Sequence, residues 1–64
     1  MIDFYTIVCS GGQEAYFYSS ISGVNPLNKI KSLLLTNKYK CITLYTNYVF
    51  TKDYTIIDII NGVL

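Results

Sequence analysis

The chain has 64 residues, 52% hydrophobic and 14% charged, with five lysines against four carboxylates for a net charge of +1, and neither arginine nor histidine. That length makes one domain with a modest core, and the apolar content excludes a disordered chain. The charge excludes the basic face of a duplex-DNA binder, and Asp3, Glu14, Asp53 and Asp58 are too few carboxylates for a DNA mimic.

The first predicted element runs from about Ile2 to Cys9, dense in β-branched and aromatic residues, and reads as a strand. Gly11-Gly12 supplies two positions that tolerate positive φ, as a tight hairpin turn requires. A second strand follows from about Glu14 to Ile21. With the glycines as the turn, Val8 faces Ala15, Thr6 faces Phe17, Phe4 faces Ser19 and Ile2 faces Ile21. That side, mostly apolar, is expected to meet the core. On the other side Cys9 meets Glu14, Ile7 meets Tyr16, Tyr5 meets Tyr18 and Asp3 meets Ser20. A one-residue slip scrambles both sets, which supports the register. A longer loop over Ser10 to Gln13 is the alternative.

Asn25-Pro26 is an N-cap followed by proline at the first helical position, and Leu27, Ile30, Leu33 and Leu34 form an apolar stripe. A helix is expected over Pro26 to Thr36, with Asn37 as a left-handed cap. A strand follows from about Tyr39 to Tyr45, with Ile42 and Leu44 on one side and Cys41, Thr43 and Tyr45 on the other. Thr46-Asn47 either turns the chain into a short fourth strand, Tyr48 to Thr51, or lies within one bent strand reaching Phe50. Last, Ile56, Ile59, Ile60 and Val63 share one helical face, with Thr51 or Asp53 as cap and Asn61-Gly62 as the stop. An edge strand competes with that helix, because isoleucine favours both.

The order β-β-α-β-(β)-α implies a small α+β domain with an antiparallel or mixed sheet and helices on one face. The first strand, apolar on both sides, suits a central position. The expected strand order is 2-1-3, with any fourth strand outside the third.

Little chemistry is available. Cys9 before Ser10-Gly11-Gly12 invites a catalytic reading, but a cysteine nucleophile needs a base or cation beside it and there is no histidine. A phosphatase-type loop needs an arginine six residues on; those positions hold Ala15 and, for Cys41, Asn47. The glycine pair lacks the Lys-Ser/Thr and the helix of a phosphate loop. Two distant cysteines make no zinc site, and both are expected as thiols in a reducing compartment. Asp53 and Asp58 do not converge on one helical face. No enzymatic activity, cofactor or metal is expected.

The tyrosines stand out. Tyr5, Tyr16 and Tyr18 fall with Ile7 on the side assigned to solvent, and Tyr45 joins them if Ile42 and Leu44 face the core. Tyrosine offers rigid contact area with a polar tip; the competing reading is cross-strand packing or cover by the last helix. Lys29, Lys31, Lys38 and Lys40 cluster near the end of the first helix. The expected partner surface is Tyr5, Ile7, Tyr16, Tyr18 and Tyr45, with Lys38 and Lys40 beside it. The partner expected is a host or cellular protein. A homodimer is the structural alternative, and single-stranded nucleic acid a third reading that the missing arginine disfavours.

The opening residues, with Asp3 and no basic run, do not read as a signal peptide, and the apolar runs fall short of the ~20 residues of a membrane span. The expected location is cytoplasmic, in the producing cell or a host. Richness in Ile, Asn, Lys and Tyr is associated with AT-rich genomes. The strand-strand-helix-strand order resembles that of small phage inhibitors of uracil-DNA glycosylase, in element order and without their acidity. Size, composition and the lack of catalytic groups fit a phage or mobile-element accessory protein that inhibits a host enzyme or defence protein.

Overall fold

The structure is a computed structural model that describes residues 2–10 and 14–64. Four strands form an antiparallel sheet: β1 (Phe4–Cys9), β2 (Ala15–Ser19), β3 (Ile42–Thr46) and β4 (Val49–Tyr54), in the spatial order β2-β1-β3-β4. Helix α1 (Pro26–Leu35) and a short α2 (Ile56–Ile60) cover one side. This is the expected α+β class, with β1 central and the fourth strand outside the third. Among the described residues no helix is long and apolar enough to cross a membrane.

Local chemistry accounts for most boundaries. The β1–β2 pairing is the expected one, with Phe4 opposite Ser19, Thr6 opposite Phe17 and Val8 opposite Ala15. The Gly11-Gly12 turn that suggested it lies outside the described residues. Strand β2 stops at Ser19, where a 3₁₀ turn takes over at Ser20–Ser22, so Ile21 is not in the ladder. At α1 the Asn25 side chain accepts from the Leu27 and Asn28 amides at 2.9 and 3.4 Å, with Pro26 at the first helical position. Asn37 ends the helix in the left-handed region, φ 62°, its amide donating to the Leu34 carbonyl.

The β3–β4 connection is a two-residue hairpin at Asn47-Tyr48, both at positive φ (51° and 67°), not at Thr46-Asn47. Asn47 secures it by accepting from the Phe4 amide at 2.9 Å and donating to the Asp3 carboxylate at 3.0 Å. Strand β4 then runs further than expected, to Tyr54, with a bulge: Leu44 pairs Lys52, but Tyr45 pairs Phe50. Thr51 and Asp53 therefore lie in the strand. Helix α2 is capped by Thr55, whose amide donates to Asp58 Oδ2 at 2.8 Å, and Lys52 approaches Asp58 at 3.7 Å. Of its isoleucines, Ile59 packs on the core with Leu64, while Ile56, Ile60 and Val63 are exposed.

The core comprises Ile7, Cys9, Ile42, Leu44 and Tyr54 from the sheet and Ile30, Leu33 and Leu34 from α1. This corrects the expected sides of the first hairpin. The covered side carries Ile7, Cys9, Tyr5, Tyr16 and Tyr18, and the open side carries Phe4, Thr6, Val8 and Phe17. The cause is the pairing of β1 with β3. Ile7 stands beside Leu44 and Cys9 beside Ile42, so the two aliphatics, which do face the core on β3, carry the odd-numbered residues of β1 inward with them.

Candidate interaction surface

On the covered side the tyrosines form a collar around a small aliphatic centre. Tyr5, Tyr16, Tyr18 and Tyr39 are half-buried and packed against the core. The Tyr16 hydroxyl donates to Glu14 Oε2 at 3.0 Å, and the Lys29 ammonium stands 4.7 Å from the centre of the Tyr16 ring. The Tyr39 phenol bears on the same carboxylate, and with Tyr16 it holds Glu14 below the usual carboxylate range. In return Glu14 raises both phenols, Tyr39 the more strongly.

The expected site residues therefore divide. Tyr5, Ile7, Tyr16 and Tyr18 are brought together, but under the helix, with Ile7 fully buried. Tyr45 stands on the opposite side of the sheet, beside Thr6 and Phe50. Lys38 and Lys40 lie exposed in the α1–β3 connection, where the Lys40 amide donates to Ser10 Oγ at 3.2 Å at the hairpin end of β1. They do not adjoin Tyr45. Both thiols are held up, Cys9 by burial and then by Glu14, Cys41 by burial and then by Asp53 and Asp58, so neither is drawn toward the reactive thiolate. A depression on the covered side, between the sheet and the start of α1, is lined by Tyr5, Val24, Leu27, Leu44, Thr51 and Tyr54 among others, and its lining includes no carboxylate, amine or thiol.

The open side is where apolar surface remains uncovered. Two rows cross all four strands there. One reads Phe17, Thr6, Tyr45, Phe50, and the next Ala15, Val8, Thr43, Asp53. Below them Phe4 stacks on Tyr48, ring centres 6.3 Å apart, and Tyr45 meets Phe50 edge-on at 6.2 Å. All three phenylalanines of the chain are here, Phe4 46%, Phe17 72% and Phe50 56% exposed, with Tyr48 at 76%. Among the described residues no helix lies over this side, and none of the five lysines stands in its rows. Asp53, at the end of its row, is taken up by a hydrogen bond from the Thr43 hydroxyl.

Tyr48 carries a second indication. Its φ of 67° lies in the left-handed region, which costs a bulky residue roughly 1–2 kcal/mol and which glycine adopts freely. An aromatic is nevertheless held there, with its ring on the open side against Phe4. Sequence reasoning missed Tyr48 and Phe50 and placed Phe4 and Phe17 in the core. The available signal was Tyr45: its inclusion was conditional on the pairing of β3, and that pairing places Phe17, Tyr45 and Phe50 in one row.

No protein-family profile, curated protein or solved structure matches this chain.

Proposed function

We propose that the protein is a non-enzymatic protein-binding module that works through the open side of its sheet, in the manner of a small accessory protein that blocks a host enzyme or defence protein. The observation that supports this reading most is the placement of every phenylalanine on one uncovered sheet face. Phenyl rings gain nothing from water, and monomeric proteins seldom expose a contiguous apolar patch of this kind without using it. The docking surface is Phe4, Phe17, Tyr45, Tyr48 and Phe50. Tyr5, Ile7, Tyr16 and Tyr18 serve the core beneath the helix. Rows without a lysine also disfavour single-stranded nucleic acid, which needs cations beside the stacking rings.

The test is capture by a tagged full-length chain from cells in which it acts, comparing the parent with Phe17→Ala/Phe50→Ala. The double variant should keep its far-ultraviolet spectrum and urea midpoint and lose partner capture by about tenfold or more, the loss of two aromatic anchors. Capture at full strength by a folded double variant overturns the reading.

A further inference from the structure

We infer that the open face is built to pack against the same face of a second copy, giving a symmetric dimer with two sheets inside and two helical layers outside. This rests on the reading of that face as a docking surface and names its occupant.

The first support is area. Phe4, Phe17, Tyr48 and Phe50 are 46%, 72%, 76% and 56% exposed. At roughly 200 Å² for a fully exposed aromatic side chain, these four alone present about 500 Å². Val8, Ala15, Thr6 and Tyr45 extend the patch toward the roughly 800 Å² that each partner brings to a stable interface.

The second support is charge. The two central rows hold rings, methyls and hydroxyls, with Asp53 alone at one end. Two copies of this face meet with no charge set against its like at the centre. Interfaces between identical chains are the more apolar class. The net charge of +1 leaves little repulsion between copies.

The third support is shape. Sheets with one apolar face stack at about 10 Å with their strands rotated by about 30°, and a two-fold axis lets one patch serve both partners. Row Phe17, Thr6, Tyr45, Phe50 has large rings at the ends and a small Thr6 between, so a ring from the second copy has a place to settle. A chain this short, with a core of eight buried side chains, also gains most from a second copy.

The experiment is sedimentation equilibrium on the purified full chain from about 1 to 300 µM, which spans dissociation constants of ordinary self-association. The parent is expected to approach twice its 7.3 kDa mass within that range. Phe17→Asp and Phe50→Asp, each at a site more than half exposed, should remain folded by circular dichroism and sediment as monomers throughout. A parent that stays monomeric at the top of the range overturns the inference. So does a dimer that survives both substitutions, since contact then lies elsewhere, at the β4 edge or the exposed isoleucines of α2. The two readings fail separately. A monomeric parent whose partner capture is still lost in Phe17→Asp leaves the proposed function standing. A variant that changes neither mass nor capture removes both.

Discussion

The two faces of the sheet differ in a way that reverses common expectation. Five tyrosines, Tyr5, Tyr16, Tyr18, Tyr39 and Tyr54, pack under the helices, while all three phenylalanines face outward. In a larger protein the phenyl rings would be the inside residues. Here the layer beneath a ten-residue and a five-residue helix is so narrow that most positions in it border solvent. Tyrosine suits a border, because the ring can be covered while the hydroxyl stays wet. Only the middle, at Ile7, Cys9, Ile30 and Ile42, is closed on every side. The open face has no such constraint on it from folding, and what it shows is uncovered apolar surface, the surface proposed above for docking.

That contrast can be broken most directly at its centre. Ile7→Ala or Ile42→Ala should cost about 2–5 kcal/mol, read from the urea midpoint by far-ultraviolet circular dichroism, which is enough to unfold a domain this small. Phe17→Ala, on the other face of the same sheet, should move the monomer's stability by no more than about 0.5 kcal/mol. Equal costs for Ile7→Ala and Phe17→Ala would cancel the distinction. The collar comes next. Tyr16→Ala/Tyr18→Ala should destabilise by about 1–3 kcal/mol, where a purely surface role leaves the melt unchanged.

Tyr48→Gly sharpens the comparison from the outer side. The substitution relieves left-handed strain of roughly 1–2 kcal/mol and forfeits the stack on Phe4, worth about 0.5–1.5 kcal/mol. Stability should therefore shift by less than about 1 kcal/mol, while self-association measured by sedimentation weakens. A variant that dimerises as well as its parent removes Tyr48 from the surface. The smallest effect is acid sensitivity at the collar's rim. Glu14 is held below its ordinary range by Tyr39 and then Tyr16, so its contribution is complete above the unfolded carboxylate's titration and disappears as pH falls through the lowered folded value. Glu14→Gln should lose that acid-side slope, seen as a flatter dependence of the thermal midpoint on pH below about 5.

Much of the fold was legible because its signals are local. Asn25-Pro26 declares a helix start whatever surrounds it, and Asn37 a helix end. The register of β1 with β2 follows from alternation and a short turn. What alternation does not carry is which set lies inside. That depends on the pairing of β1 with β3, whose partners are 33 to 41 residues apart in sequence, and no short turn sets it. Both faces of β1 are apolar, so neither composition nor pattern breaks the tie. The surface residues were misplaced for this one reason, and Tyr45, sorted to the side of β3 opposite Ile42 and Leu44, was then grouped with the wrong tyrosines. Tyr48 escaped notice because a tyrosine at positive φ contradicts turn preference, and such a departure is visible only in three dimensions.

The bulge opposite Leu44 and Tyr45 decides more than the bend of β4. Tyr54 follows Phe50 by four positions, an even step, so in an unbroken ladder both would lie on the same side of the sheet. The single unmatched residue sends one ring outward to Tyr45 and the other inward to Ile42. The identity of this surface thus hangs on that break as much as on residue type: an unbroken ladder continued from the Leu44–Lys52 pair would set Thr51 in place of Phe50 opposite Tyr45, a hydroxyl for a ring, without altering a letter of β1, β2 or β3.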